Sequence, residues 1–311
     1  MNIIKNRYLY FLISLLVIIP GVVFMILNWR ADGQALPLAI DFTGGSLLEI
    51  KFSGARPSAE EVRSVYSEFA PDSNPIVQAL DEDSFDIRSK TIDDATKGKI
   101  VDELAKRSGL EVTVLTFSSV SPSVGAEVTR AAVFAILLAA IAILAYISFA
   151  FRGVEHASRY GVAAILAMLH DVFVVLGVEA ILAYFLGWEA DALFLTALLT
   201  VIGFSVHDSI VVFDRVRENS RIYRRIPYET LVNHSIIQTL DRSINTQMTV
   251  MLTLFALALF GGDSIRHFVI ILLVGIFSGT YSSIFNAAPI LVVWENQEWK
   301  NWFRRPEQLE A

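Results

Sequence analysis

The sequence predicts a membrane α-helical protein with six transmembrane helices and a small exported domain of the α+β type. The 311 residues are 54% hydrophobic and only 18% charged, a balance typical of membrane proteins. Apolar runs long enough to cross a bilayer recur along the chain, and one long polar segment separates the first run from the others. The chain has no cysteine, which excludes disulfides and thiolate metal sites.

Five apolar runs have the length of a transmembrane helix. They cover residues 8–29, 131–151, 161–186, 192–213 and 265–293. The first exceeds the apolar region of a cleavable signal peptide, so residues 1–29 predict a retained N-terminal helix. A sixth span is less clear, because its strongly apolar part, 250–260, is too short to cross a bilayer. Counting back about 20 residues from Phe260 places the start of this span near Asp241 and Arg242.

The GIFSG pattern at 275–279 permits close contact with a helix of this chain or of a partner.

The distribution of positive charge predicts the orientation of these spans. Lys and Arg precede the first span and follow the last, whereas the connections "GWEAD" and "GGDS" contain neither. Six arginines lie between the fourth and fifth spans: Arg215, Arg217, Arg221, Arg224, Arg225 and Arg242. By the positive-inside rule, both termini and an Arg-rich loop at 214–240 are cytoplasmic. The bundle then has five helices over 129–293, followed by a cytoplasmic tail over 294–311.

Residues 30–128 form the long polar segment, and this topology places them outside the cytoplasm. The segment contains 17 acidic and 10 basic residues, which argues against nucleic acid or anionic lipid as its ligand. Alternation and capping signals predict the element order βαββαβ, the ferredoxin-like arrangement. Ser58 and Glu61 form a capping box at the start of the first helix, and the second helix ends at Gly109.

Charged side chains inside the predicted spans are the candidate functional residues, because a carboxylate in hydrocarbon is costly without a partner. Asp171 lies about 18 Å along the third span, near mid-bilayer. Asp208 lies about 8 Å inside the fourth span, and Arg242 enters the fifth span from the same side. Their similar depth predicts an ion pair between Asp208 and Arg242 that protonation of the carboxylate would break. Such a pair suits an ion carrier.

Other polar residues have both a functional and a structural interpretation. His207 is a candidate proton relay because histidine titrates near neutral pH, although buried histidines are often structural. Ser205 and Asp208 lie on one helix face and would suit a sodium ion. The side chain of Arg242 is long enough to reach the lipid headgroups instead of a carboxylate. Glu179, near the outer end of its span, is expected at the membrane interface.

Several stretches resemble the SecD/SecF family of protein-export membrane subunits. They are "IDFTGGSLLEIKF", "LHDVFVV", "LLTVIGFSVHDSIVVFDRVREN", "QTLDRSINTQMT" and "GIFSGTYSSIFNAAPIL". With six spans and a small exported domain, the chain is most similar to the SecF side of that family over nearly its whole length. The resemblance implies membership of the resistance-nodulation-division superfamily, in which two six-span halves face each other and an ion gradient moves exported domains.

The resemblance also implies functional residues and partners. The family's ion-relay aspartate matches Asp208, its arginine matches Arg242, and Asp171 matches an aspartate of the third span. His207 stands where the family pattern usually has asparagine. The implied partners are SecD, YajC, the SecYEG channel and unfolded preprotein on the extracytoplasmic side, in the bacterial cytoplasmic (inner) membrane. The implied coupling ion is H⁺, with Na⁺ as the alternative, and no cofactor is expected.

Functions of other classes stay open at the level of sequence. A structural subunit would stabilise SecD or the channel without conducting ions, and a half-transporter would carry lipids or small amphiphiles. An intramembrane protease is disfavoured, because Asp171 and Asp208 lie at depths about 10 Å apart. The sequence has no intact HExxH, P-loop, GxSxG or dinucleotide-binding motif, so it does not predict an enzyme.

Overall fold

The computed structural model describes residues 2–79, 82–152 and 157–300. Residues 301–311 of the predicted tail lie outside the described residues. The chain divides into two compact units, one formed by Met1–Pro37 with Ala135–Ala311 and the other by Leu38–Phe134.

The helices and strands follow one another along both units. In chain order they are α1 (Arg7–Asp32), α2 (Ile40–Thr43), β1 (Gly45–Phe52), α3 (Ala59–Phe69), β2 (Ile76–Ala79), β3 (Ser84–Ser89), α4 (Asp94–Ser108), β4 (Val112–Val120), α5 (Pro122–Ala150), α6 (Ala157–Leu186), α7 (Ala192–Ile222), α8 (Tyr228–Phe260), α9 (Asp263–Ser282) and α10 (Ala288–Glu295).

The predicted six-span architecture is confirmed. Within the described residues, six helices are long and apolar enough to cross a membrane. Five are α1, α5, α6, α7 and α8, and the sixth is the continuous helix formed by α9, a π-helical segment at Ser283–Ala287 and α10. The chain is therefore a multi-pass membrane protein.

The Arg-rich loop predicted at 214–240 is mostly helical. α7 continues to Ile222 and α8 begins at Tyr228, so residues 223–227 alone connect them. Ion pairs three residues apart, such as that between Arg215 and Glu218 at 2.6 Å, support the helical continuation. Hydropathy detects only the apolar part of a helix, and the prediction of a long loop was wrong for that reason.

Glycines bring some bundle helices into backbone contact. A Cβ added to Gly177 on α6 would lie 2.9 Å from the Cα of Gly21 on α1, closer than side chains normally approach. The GIFSG segment makes a similar contact, because a Cβ added to Gly275 on α9 would lie 2.8 Å from Cγ1 of Val201 on α7. The pattern at 275–279 therefore serves packing within this chain.

The unit formed by Leu38–Phe134 is built on a four-stranded antiparallel sheet in the order β2-β3-β1-β4. Its strands and longer helices follow the predicted βαββαβ order, and the ferredoxin-like name stays a prediction. Ser58 and Glu61 form the predicted capping box at the start of α3, and Gly109 ends α4 with a φ of +67°. The core includes Leu48, Ile50, Phe52, Val62, Phe85 and Ile100.

The contact between Gly21 and Gly177 predicts a local cost of adding volume. Gly21→Ala should destabilise the bundle by about 1–3 kcal/mol, as overpacking does. Gly203→Ala on α7 is the matched control, since a Cβ there meets nothing within 4 Å. Thermal unfolding of the detergent-solubilised protein measures both. Equal midpoints for the two variants would show that the α1–α6 contact is not tight.

A carboxylate pair in the sheet predicts a pH dependence of stability. Glu49 lies opposite Asp86 on the neighbouring strand. Burial raises the pKa of Asp86, the Arg88 guanidinium at 3.0 Å opposes this, and Glu49 adds to the increase, so the net pKa is raised. The folded state then binds the proton more tightly than the unfolded chain, so stability falls as pH rises above the unfolded pKa of about 3.9.

Asp86→Asn should therefore stabilise this unit at neutral pH and weaken the dependence of its stability on pH. Hydrogen-exchange protection of the sheet amides in the full chain, corrected for intrinsic exchange, measures the effect. Asp72→Asn, which changes an exposed carboxylate of the same unit, is the control. A stability of Asp86→Asn that falls with pH as steeply as the wild type would contradict the assignment.

Candidate ion site within the helix bundle

An aspartate on α6 is surrounded by hydrogen-bond donors. Asp171 is fully buried. Ser205 on α7 donates to its Oδ2 at 2.5 Å, while Ser278 and Ser282 on α9 donate to Oδ1 and Oδ2 at 2.6 Å each. Nδ1 of the adjacent His170 lies 3.0 Å from Oδ1. The carboxylate therefore joins α6, α7 and α9.

The spacing of residues on α9 makes this contact possible. Ser278 and Ser282 are four residues apart, so both hydroxyls project from one face of the helix. Gly279 lies between them, where an added Cβ would be 3.3 Å from the Cα of Ser205, and this closeness brings α7 within reach. Hydrogen bonds to an ionised group contribute about 1.5–3 kcal/mol each, which offsets the cost of burying the Asp171 carboxylate. Asp171 is thus held in a fixed position.

A second buried aspartate, on α7, has fewer donors. Asp208 is 3% exposed, and Nε2 of Gln247 on α8 donates to its Oδ2 at 2.5 Å. Nδ1 of His207 lies 3.7 Å from Oδ1, beyond hydrogen-bond distance. Since Ser205 is only three residues earlier on α7, both carboxylates belong to one polar region of the bundle. Asp171 accepts hydrogen bonds from three hydroxyls and is held more firmly than Asp208, which accepts one from Gln247.

The predicted ion pair between Asp208 and Arg242 is not formed. Gln247 is the α8 residue that donates to Asp208, and Arg242 is exposed. The two α8 residues are five positions apart, which is about 7.5 Å along the helix axis and about 140° around it. The prediction rested on depth alone and did not include this rotation of the helix.

The other predicted residues lie in different surroundings. The side chain of His207 is 64% exposed in this chain, although its Nδ1 lies 3.7 Å from Oδ1 of Asp208. The hydroxyl of Ser205 donates to Asp171, so its hydrogen is directed at that carboxylate and not at Asp208. Sequence reasoning did not identify Gln247 or the two serines of α9. The sequence feature that could have identified them is a polar residue at helical spacing within an apolar span.

Glu179, expected near the membrane interface, is buried among the helices of the bundle. Its side chain is 0% exposed, and its Oε2 lies 2.7 Å from Nε2 of His267 on α9. Glu179 follows Asp171 by eight residues on α6, about 12 Å along the helix axis. The bundle therefore contains a second, separate cluster of titratable side chains.

Comparison with known proteins gives consistent matches. A family model of the C-terminal part of the protein export membrane proteins SecD/SecF matches residues 100–297, and a model of the SecD/SecF GG motif matches residues 33–55. The protein translocase subunit SecF of Anaerolinea thermophila is 53% identical over 98% of this chain and 97% of its own length. That of Thermobaculum terrenum is 48% identical over 98% of each chain.

A solved structure is similar over most of the chain. The crystal structure of SecDF, a translocon-associated membrane protein from Thermus thermophilus, matches with a TM-score of 0.76 and 33% identity. The match covers 95% of this chain and 39% of the SecDF chain. This chain therefore corresponds to part of that longer protein.

The donors around Asp171 predict a stability effect. The double variant Ser278→Ala, Ser282→Ala leaves the buried carboxylate with two fewer donors, and each lost hydrogen bond should cost about 1.5–3 kcal/mol. Ser209→Ala is the control, because the buried Ser209 hydroxyl donates to a carbonyl of its own helix. Thermal unfolding in detergent compares them. If the control is as unstable as the double variant, the hydrogen bonds to Asp171 contribute no more to stability than an ordinary buried hydroxyl does.

Proposed function

The chain belongs to the SecD/SecF family of protein-export membrane proteins, and on this premise we propose that it couples an ion gradient to late preprotein translocation through SecYEG. SecDF relatives indicate that SecD is its partner. We place it in the bacterial inner membrane with both termini cytoplasmic and the unit Leu38–Phe134 on the extracytoplasmic side. There this unit contacts unfolded preprotein, and YajC is a further associate. No cofactor is required.

The contrast between the two buried carboxylates carries this proposal. Asp171 accepts hydrogen bonds from three hydroxyls, so its charge is stabilised by groups that cannot move without separating helices. Asp208 accepts a hydrogen bond from the neutral amide of Gln247. A buried carboxylate with so few donors is the one that gains most from binding a cation or a proton. We therefore assign the ion-carrying role to Asp208.

The same contacts define which helices would move. Protonation of Asp208 removes the charge that attracts the Gln247 amide and so weakens this contact between α7 and α8. α8 would then shift against α7 about the hydrogen bonds that Asn219 donates to Ser235 and Gln238. The Asp171 hydrogen bonds hold α6, α7 and α9 together during this shift. Movement of α8 relative to that three-helix group would be the membrane part of a stroke that displaces the extracytoplasmic unit.

Arg242 and His207 have a role at the SecD interface in this proposal. Both are exposed in this chain, although a charged or polar side chain within the membrane needs a partner. We propose that Arg242 faces a carboxylate of SecD in the assembled pair and returns toward Asp208 when α8 shifts. His207 would tune the electrostatic environment of Asp208 from the same face.

The coupling ion we propose is H⁺, with Na⁺ as the alternative. A sodium site generally needs several oxygen ligands, and the Ser205 hydroxyl, the expected one, is already engaged by Asp171. Gln247 presents its amide nitrogen to Asp208, which repels a cation but tolerates a protonated carboxyl. These contacts favour a proton.

The alternative of a half-transporter for lipids receives less support. A cleft of about 840 Å³ in the unit Leu38–Phe134 is lined by charged and polar side chains as well as aromatic ones. Its lining includes Asp72, Lys90, Asp93 and Asp94, which suit a peptide backbone or polar segment better than an acyl chain.

Asp208→Asn tests the proposal in vesicles containing this chain, SecD, SecYEG and SecA. It should abolish stimulation of preprotein export by an imposed H⁺ gradient and leave ATP-driven export unchanged, because asparagine cannot take up a proton. Asp214→Asn, which alters an exposed carboxylate on the same helix, should keep full stimulation. An Na⁺ gradient imposed in parallel identifies the coupling ion.

Abundance and co-purification with SecD are measured in the same samples. Surviving stimulation in Asp208→Asn would contradict the ion-carrying role. Loss of stimulation that only follows loss of the complex would support the structural-subunit reading instead.

A further inference from the structure

A buried pair of titratable side chains lies apart from the site already described. Glu179 on α6 is fully buried, and its Oε2 is 2.7 Å from Nε2 of His267 on α9. Its other oxygen, Oε1, is buried and accepts no hydrogen bond within the described part of the chain. Three hydroxyls satisfy the Asp171 carboxylate, but one imidazole is the donor available to Glu179. A carboxylate with this single partner gains more from binding a proton than one that three hydroxyls satisfy.

The imidazole connects this carboxylate to the end of the bundle. The side chain of His267 is 19% exposed, and His267 lies four residues after the start of α9, about 6 Å along the helix axis. Its ring is 4.4 Å from that of Trp188 and 6.4 Å from that of Phe194. The aromatic rings hold the imidazole at the surface of the bundle, with its Nε2 toward the buried carboxylate.

An apolar layer separates the pair from Asp171. Glu179 and Asp171 are about 12 Å apart along α6, and His267 and Ser278 are about 16 Å apart along α9. The buried side chains between them, from three helices, are Val175, Leu198, Val201, Ile271 and Leu272. The close contact of Val201 with Gly275 closes this layer between α7 and α9. No proton passes a packed hydrocarbon layer without a change in structure.

We propose that Glu179 and His267 form a second proton-binding station, on the side from which the ion enters. The imidazole takes a proton from extracytoplasmic water at Nδ1 and releases the one at Nε2 to Oε2 of Glu179. The ring remains neutral after this exchange, and the carboxylate becomes a neutral carboxyl. Opening of the apolar layer then passes the proton toward Asp208. The inference rests on the proposed function for its direction and use, but not for the existence of the station.

The elements around the pair carry further charged side chains. Those nearest in the chain, among described residues, are Arg266 on α9, Glu189 and Asp191 in the connection that carries Trp188, and Arg30 near the end of α1. Asp191 already caps α7 by accepting the Phe194 N–H at 2.7 Å. Asn28 on α1 is neutral and donates to the carbonyl of Ala180 at 3.0 Å.

The first test is infrared difference spectroscopy on the full chain with SecD in oriented vesicles, with pH changed on one side. A protonated-carboxyl band should respond to the pH on the extracytoplasmic side. Glu179→Gln, which keeps the volume and the contact with His267, should abolish the band. Asp208→Asn and the structural control Asn28→Leu should retain it. A band unchanged in Glu179→Gln overturns the proposal.

The second test measures gradient-stimulated preprotein export at several extracytoplasmic pH values. Glu179→Gln should lose the stimulation and its dependence on that pH, and His267→Phe, which preserves ring packing, should behave alike. Asn28→Leu should lower thermal stability and keep the wild-type pH profile. If Glu179→Gln also keeps that profile, the pair is a structural tether and the proposal is overturned. A Glu179-dependent band without any stimulation in the wild type would support the station and refute the proposed function.

Discussion

The hydrogen bonds between the Asp171 carboxylate and the hydroxyls of α7 and α9 are the constraint on which the rest of the bundle depends. In a bilayer no water is available to replace a lost donor. Three helices must therefore keep their relative rotation and height for the carboxylate to stay satisfied. The glycines at 275 and 279 follow from the same requirement, because only small residues let α9 approach α7 closely enough for serine side chains to reach.

This fixed group gives Asp208 its special position. Asp208 is on α7, which Asp171 holds, but its donor Gln247 is on α8, which those hydrogen bonds do not include. A change of charge at Asp208 therefore acts first on the contact between α7 and α8. Such a division between a group of three joined helices and a fourth helix is consistent with the ion-driven stroke that we propose. Glu179 and His267 extend the arrangement with a proton site beyond the apolar layer.

Much of this architecture could be predicted from the sequence, and the missing parts share a physical cause. Hydropathy identified six spans, and the rarity of carboxylates in hydrocarbon identified Asp171 and Asp208 as buried groups. Which side chains meet them depends on helix rotation, which composition does not determine. Depth alone placed Arg242 near Asp208, whereas the height and rotation of α8 bring Gln247 to it. Glu179 likewise meets a histidine 88 residues away, a pairing that only packing determines.

The most direct test of the central claim is a pair of distances within the bundle. The chain has no cysteine, so a spin label can be attached to a single introduced cysteine on each helix. Suitable exposed positions for the cysteine are Ile222 of α7, Leu252 of α8 and Phe277 of α9. Distances between labels would be compared in the wild type and in Asp208→Asn, which mimics the protonated state. A changed α7–α8 distance with a constant α7–α9 distance is the predicted result. A change in the α7–α9 distance would contradict the claim that Asp171 holds these helices as one group.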